Sequence, residues 1–362
     1  MVAIVPARNE ALTIRPSLTS LLQQNYSAEF SVVVVDDHSE DGTAQIAQQT
    51  IRELSAESRV TICTASTLPA GWTGKLWALN EGVSATRRKA ALRRPSLATN
   101  DPAQPTYYWF TDADIVHAPD TLQHLVARAE RDNLDLTSLM VLLQAKTLPE
   151  CALIPAFLFF FLKLYPPRWT ANPDASTAGA AGGCILLKCE ALERIGGLAP
   201  IRSEIIDDCA LARAVKRCSG RLWMGLTRRS ISLREYRTVS EIRDMIARTA
   251  FTQLRYSPVL LLGTHIGMLL TYVAPVVLLF APAVTPRILA ACAWTLMSLL
   301  YLPTVRFYRV SLLWAPLLPA TAAFYAYATL LSAVRHWLGH GAQWKGRSRA
   351  GARETFPSDH SM

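Results

Sequence analysis

The hydrophobic pattern divides the chain into two parts. Up to about residue 145, short apolar runs alternate with longer mixed stretches. The runs Val2–Val5, Ser31–Val35, Val60–Cys63 and Tyr107–Thr111 predict β-strands, and Ala11–Gln23, Gly42–Leu54, Lys75–Ala91 and Asp120–Arg131 predict helices. Strands that are apolar throughout are buried on both faces, so this alternation predicts a parallel, doubly wound sheet with helices on either side. Ligands of such sheets sit beyond the carboxyl ends of the strands. The residues directly after each strand therefore carry the most functional information. Arg93–Thr106, rich in Pro, Ser and Asn, predicts an exposed loop.

The last third reads differently. Val259–Ala281 runs for 23 residues without an acidic, Lys or Arg side chain, long enough to cross about 30 Å of hydrocarbon. Ile288–Val305 is a shorter uncharged run containing Pro303, and Val310–Val334 is an uncharged run of 25. Together they predict about three membrane helices. Cys151–Tyr165 is apolar but too short to cross upright; it fits an interfacial or re-entrant helix, or a buried core helix.

Composition agrees with a membrane-linked globular protein. Apolar residues make up 51% and charged residues 18%, against about a quarter in soluble domains. This excludes a disordered chain, a collagen-like repeat and a disulfide mini-protein. The 362 residues suggest two or three units at about 100–200 residues each. With 37 basic and 28 acidic residues the net charge is +9, which suits nucleic acid or an anionic membrane surface. Its distribution favours the membrane. Seven Arg against three acidic residues lie between Arg228 and Tyr256, and Arg335, Lys345, Arg347, Arg349 and Arg353 follow the last apolar run. Both flanks belong in the cytoplasm by the positive-inside rule, yet three crossings would separate them. Either one run is not a full crossing or the rule fails here. No basic-aromatic nucleic-acid module is present, so nucleic acid is not an expected partner. The seven cysteines form no CxxC pair and read as reduced apolar fillers rather than a zinc site. Met1 runs straight into VAIVP, unlike a secretory leader.

Candidate chemistry follows the strands. After the first comes Pro6-Ala7-Arg8-Asn9-Glu10, a polar pocket at a helix start; Glu10 suits a ligand contact or simply complements the helix dipole. Asp36 and Asp37 close an all-valine strand, where carboxylates are costly without partners. They can accept hydrogen bonds from a base edge or from ribose hydroxyls, whereas Ser39 and Asp41 read as turn and cap residues. No GxGxxG follows a strand, so a dinucleotide site is not supported. Gly74-Lys75 can meet a phosphate at its helix start but lacks P-loop spacing. Asp112-Ala113-Asp114 places two carboxylates on one side of an extended strand end. They repel unless a cation lies between them, and their hard oxygens suit Mg²⁺ or Mn²⁺ completed by a diphosphate. Asp207 and Asp208 open a further predicted helix. The pair suits capping or, with a pKa raised by its neighbour and by partial burial, a general base beside a metal-bound diphosphate.

Taken in order, PARNE, DDxSxDGT, GK with Asn80, DAD and DD-x-x-L resemble the GT-A domain of glycosyltransferase family 2, inverting enzymes that use nucleotide sugars. The resemblance spans roughly residues 1–256. WTGKLWALNEG, FTQLRYSP and RHW…WKGR make the whole chain most similar to the hopene-associated glycosyltransferases of bacterial hopanoid biosynthesis. The implied fold class is α/β: a GT-A, Rossmann-like domain with a mostly parallel sheet, followed by C-terminal transmembrane helices. The implied organisation is a catalytic domain at 1–235, an amphipathic interface segment at 236–257, transmembrane helices at 258–335 and a basic cytoplasmic tail at 336–362. Members of the hopene-associated group often open with a membrane helix, whereas this chain opens on a strand.

The resemblance also implies roles. Pro6, Ala7, Arg8 and Glu10, with Asp36 and Asp37, would surround the nucleoside of a UDP-sugar. Lys75 and Asn80 would lie near base or diphosphate. Asp112 would contact ribose or the metal's water, and Asp114 would bind Mg²⁺ or Mn²⁺. Asp208, beside Asp207, would be the catalytic base. The family's usual Glu-Asp pair is Asp207-Asp208 here. Its QxxRW motif is matched loosely by Arg255-Tyr256, with Thr252 at the Gln position and Gln253 one residue later. Gln253, Arg255 and Tyr256 would gate the diphosphate, or belong to an ordinary amphipathic helix. The expected protein is a multi-pass enzyme of the bacterial inner membrane, facing the cytoplasm and acting on a lipid acceptor. A polyprenyl phosphate or another glycolipid is the alternative acceptor, and an inactive nucleotide-sugar-binding scaffold the alternative of another class.

Overall fold

A computed structural model describes residues 1–92 and 105–339. The loop expected at Arg93–Thr106 and the basic tail therefore lie almost wholly outside the described residues. The first half alternates as β1 (Val2–Ala7), α1 (Ile14–Leu22), β2 (Ser31–Asp36), α2 (Thr43–Glu53), β3 (Val60–Thr64), α3 (Gly74–Leu92) and β4 (Tyr107–Thr111). Then come β5 (Ile115–His117), α4 (Thr121–Arg131), β6 (Leu136–Leu142), α5 (Leu148–Leu164), α6 (Pro167–Ala171), β7 (Cys184–Lys188), α7 (Cys189–Arg194), α8 (Asp207–Arg217) and β8 (Leu222–Ser232). Each expected strand and helix is present, with ends shifted by up to three residues.

All six residues of β1 are buried, because helices cover both faces of the sheet. Successive side chains feed opposite layers. Ile4, Val33, Val35 and Phe110 pack with Leu76 and Leu79 of α3, whereas Ala3, Val5, Val34 and Trp109 pack with Leu18 and Leu21 of α1. The strand order is β3-β2-β1-β4-β7-β6-β8-β5. The sheet is mixed rather than wholly parallel: β7 runs antiparallel to β4 and β6, and β5 antiparallel to β8. The four expected strands, β1 to β4, do pair in parallel, as a mostly parallel sheet requires. The reversal matters, because β7 begins beside the carboxyl end of β4, with Cys184 opposite Thr111. The turn that precedes β7 is thereby delivered to the ligand edge.

The apolar segment 151–165 forms most of α5, and of its alternatives the structure realises the buried core helix. Ile154, Ala156 and Leu158 are buried in a cluster with the C-terminal helices. Those are α9 (Val239–Ala247), α10 (Ala250–Gln253), α11 (Pro258–Met268), α12 (Ala274–Leu278), α13 (Val284–Tyr308) and α14 (Leu318–Trp337); a π-turn joins α11 to α12. Pro258–Leu278 and Val284–Tyr308 are long and apolar enough to cross a membrane, and most of their surface is exposed. The third expected run is helical over most of its length. Val310–Val334 begins with a short 3₁₀ turn, and α14 then docks on α5, α9 and α10. Tyr325 donates to the Leu153 carbonyl (2.9 Å), Phe251 N–H donates to Ser332 (3.0 Å), and Arg335 pairs with Asp244 (2.7 Å). Small and hydroxyl-bearing residues on α14 permit this close packing.

The basic stretch before α11 is also largely used within the protein. Arg228 donates to the last carbonyls of α13, from Arg306 (3.0 Å) and Phe307 (2.8 Å). Arg229, Arg237 and Arg243 pair with Asp120, Glu235 and Asp244.

One junction fastens the two halves. Thr147 and Glu150 form a capping box at the start of α5, and the other oxygen of buried Glu150 accepts from Tyr236 N–H (2.7 Å) just beyond β8. Burial pushes the Glu150 pKa up, but the hydrogen bonds from Thr147, Tyr236 and Lys146 outweigh it and leave it lowered. Glu150→Ala is expected to cost about 2–3 kcal/mol, since it orphans buried N–H donors. A depressed pKa stabilises above the ordinary glutamate range and ceases to do so as pH falls through it. In thermal melts the gap between variant and wild type should accordingly narrow under acid.

Candidate active site

The loops after β1 and β2 interlock. Asp37 N–H donates to the Ala7 carbonyl (2.8 Å), Asn9 N–H to Ser39 (3.0 Å), Glu10 N–H to Thr43 (2.8 Å) and Ala11 N–H to Asp41 (2.9 Å). Asn9 and His38 take left-handed backbone angles (φ 51° and 55°) to allow it. Arg8 donates to the Asp37 carbonyl, and its guanidinium lies 3.7 Å from the buried Asp37 carboxylate. That partner lowers the cost of burying the charge. Asp36 accepts from Ser39 N–H (3.4 Å). Pro6 and Glu10 reach the cleft beyond; Ala7, Arg8, Asp36 and Asp37 stand behind it.

The cleft is about 320 Å³. Lys75, in the first turn of α3, lies 2.8 Å from Asp112 after β4 and 3.4 Å from Asp207 at the start of α8. Burial works against its charge, but Asp112 and Asp207 outweigh that and hold its pKa above the ordinary lysine value. Asp208 is clasped by two backbone amides, Gly182 N–H (2.8 Å) and Cys209 N–H (2.7 Å). Burial and the neighbouring Asp207 charge push its pKa up to about 6, against the pull of Lys75 and the two amides. Such a carboxylate is ionised at neutral pH yet can take a proton in a transition state. A Cβ on Gly182 would lie 3.2 Å from the Lys75 ammonium and 3.3 Å from Asp208, so the bare backbone is what allows this approach.

Six carboxylates line the cleft, those of Glu10, Asp112, Asp114, Glu204, Asp207 and Asp208, against three cations, Lys75, Arg234 and Arg248. The residues therefore fit a divalent ion. Asp112 and Asp114 supply hard oxygens, and no cluster of three or more ligating side chains occurs among the described residues, so oxygens of a bound diphosphate would complete the sphere.

Sequence reasoning missed several lining residues. Gly182 and Gly183 sit in the small-residue run AGAAGG, a signal for close backbone approach. Arg234, Arg248 and Tyr236 follow β8, and their arginines had been assigned to the membrane surface. Leu233 N–H donates to the Asp114 carbonyl (2.7 Å), which brings this segment to the site. Phe157 and Phe161 of α5 give the cleft an apolar wall, and Trp72 and Thr73 also line it. Besides Ala7, Arg8, Asp36 and Asp37 behind it, four further expected residues do not line the cleft. Asn80 lies five residues beyond Lys75 on α3, which at about 100° per residue turns it away. Gln253 accepts from the Tyr165 hydroxyl (2.8 Å) instead. Arg255 and Tyr256 are exposed in a left-handed turn, with Tyr256 stacked 4.3 Å from His336.

Residues 2–196 match the family model Glycosyl transferase family 2. The chain belongs to that family and is a glycosyltransferase acting on nucleotide sugars; Asp207 and Asp208 lie beyond the matched residues. Its fold is similar to that of the mannosyltransferase PcManGT from Pyrobaculum calidifontis in complex with GDP-Man and Mn²⁺, at 20% identity over 93% of this chain and 87% of that one, with a TM-score of 0.58. S. aureus TarS 1–349 in complex with UDP-GlcNAc matches at 16% identity over 95% and 92% of the chains, TM-score 0.44. Glucosyl-3-phosphoglycerate synthase from Mycobacterium tuberculosis in complex with Mn²⁺, UDP and phosphoglyceric acid matches at 14% over 70% and 77%, TM-score 0.40. Comparison with curated proteins finds no match.

Lys75→Met should leave Asp208 without a nearby cation and raise its pKa further. The acid limb of kcat/KM, expected near pH 6 in the wild type, should move to higher pH by about one unit. A pH–rate series on both proteins checks this.

Proposed function

We propose that this chain is a membrane-bound, metal-dependent inverting enzyme that moves a sugar from a UDP-sugar to a lipid alcohol in hopanoid biosynthesis. One observation carries the lipid acceptor: the cleft that holds Asp208 is walled on one side by Phe157 and Phe161, and their helix packs directly against the long apolar helices. A lipid chain can follow that wall while its hydroxyl meets the carboxylate. Two crossings rather than three would leave both basic flanks on one face, so the catalytic domain and tail face the cytoplasm of the inner membrane.

In this reading Asp208 takes the proton of the acceptor hydroxyl as its oxygen attacks the anomeric carbon from the side opposite the diphosphate. The bond from that carbon to the diphosphate oxygen breaks, and its electron pair leaves with UDP. Lys75 keeps Asp112 and Asp207 close, while Arg234 and Arg248 offer charge to the leaving group. Asp112 and Asp114 would hold Mg²⁺ or Mn²⁺, which when bound neutralises diphosphate charge. Pro6, Glu10 and the Arg8–Asp37 pair behind them would meet the nucleoside. One observation favours the polyprenyl-phosphate alternative. Among the described residues neither Arg234 nor Arg248 is in an ion pair, and an anionic acceptor headgroup could use them.

UDP release in detergent tests these readings, with and without Mn²⁺, across UDP- and GDP-sugars and hopanoid, polyprenyl-phosphate and glycerolipid acceptors. Metal-dependent release that rises with a hopanoid alcohol supports the proposal. Stimulation by the polyprenyl phosphate alone selects the alternative, and binding without release under any pairing selects the scaffold. Asp114→Asn should abolish metal-dependent turnover. Asp208→Asn should keep donor binding and slow transfer by about 10²–10⁴-fold, the usual share of a general base; loss of donor binding instead would remove it from that role.

A further inference from the structure

We infer that His117 is a positioning residue for the cleft: by hydrogen-bonding Thr111 it closes the neck of the loop bearing Asp112 and Asp114 and joins that loop to the turn that holds Asp208. What those carboxylates do rests on the metal-dependent transfer proposed above.

His117 ends β5 and is buried beneath the loop, outside the cleft. Its Nε2 lies 2.8 Å from the Thr111 hydroxyl and its Nδ1 lies 2.8 Å from the Ser230 hydroxyl, while its backbone N–H donates to Ser20 (3.1 Å). The proton positions follow from the partners. Thr111 donates to the Gly183 carbonyl (3.0 Å), which can only accept. The Thr111 oxygen must then accept from His117, so Nε2 carries the hydrogen and Nδ1 accepts from Ser230. Burial keeps the ring neutral, with its pKa pushed down to about 3.

This arrangement joins two parts of the site. Thr111 and His117 flank the segment 112–116, so their hydrogen bond closes the loop at its base. Across the loop, Ile115 N–H donates to the Asp112 carbonyl (3.3 Å). On the other side, the Gly183 carbonyl that Thr111 grips directly follows Gly182, whose N–H donates to Asp208. A plain core position would be filled by an apolar side chain. Here two buried hydroxyls converge on one imidazole and a third meets its backbone N–H, directly behind the carboxylates, a cost that an oriented loop explains.

The test compares wild type, His117→Leu, His117→Gln, Thr111→Val and the His117→Leu/Thr111→Val double variant, with Ile51→Ala in α2 as a destabilised control. Mn²⁺ binding in the presence of UDP is read from loss of the free-Mn²⁺ EPR signal, alongside thermal melts and sugar turnover. His117→Leu and Thr111→Val should each raise the half-saturating Mn²⁺ concentration about tenfold, and the double variant no further than the worse single. His117→Gln, whose amide can still donate to Thr111, should recover part of the loss. Ile51→Ala should lower the melting temperature and leave Mn²⁺ binding as it was. Unchanged Mn²⁺ binding in Thr111→Val overturns the inference, even if His117→Leu does not fold. Effects that multiply in the double variant overturn it as well. A wild type that binds Mn²⁺ with UDP but transfers no sugar fails the proposed function alone, and one that binds no Mn²⁺ fails both.

Discussion

The ammonium of Lys75 lies between Asp112 and Asp207, 2.8 Å from one and 3.4 Å from the other, and so ties a strand end to a helix start about 95 residues further along the chain. Two carboxylates about 4 Å apart would repel by about 4 kcal/mol at an effective dielectric constant near 20, a cost that an ammonium between Asp112 and Asp207 offsets. The lysine makes the approach possible, and Gly182 leaves room for it. The same cation limits how far the Asp208 pKa rises. One ammonium thus bears on both the shape of the cleft and the proton affinity of Asp208.

The apolar half of the molecule is built into this site rather than attached to it. Helix α5 starts from a capping box whose glutamate also holds the backbone beyond β8, and it ends among α13 and α14. Phe157 and Phe161 line the cleft on the way. A polar floor and an apolar wall therefore share one cavity. The long helices present mostly exposed apolar side chains outward, while α14 is spent on holding α5 and α9 in place.

Much of the site could be read from residue order. A carboxylate after a buried strand is costly enough to imply a reason, and Asp112, Asp114, Asp207 and Asp208 do converge on one cleft. Asp36 and Asp37 do not line that cleft; Arg8 and the Ser39 amide meet them behind it. Asn80 does not line it either, because a motif written as a string hides the rotation of the helix carrying it. Arg228, Arg229, Arg237 and Arg243 looked like a membrane-facing charge cluster, but Arg228 and Arg229 meet carbonyls and a carboxylate far away in sequence, and Arg237 and Arg243 pair with the nearby Glu235 and Asp244.

The division follows from the range of the forces involved. Strands, helices, caps and apolar runs depend on neighbours within a few positions, so sequence alone determined the alternation of the first half, the two long apolar helices and the acids that end the strands. Which way β7 runs, which of three apolar runs is buried, and which arginines enter the cleft depend on contacts between residues tens to hundreds of positions apart. Those were decided only by the closed sheet and by α5 packing across it, because a side chain's partner is set by where the backbone brings it and not by its place in the string.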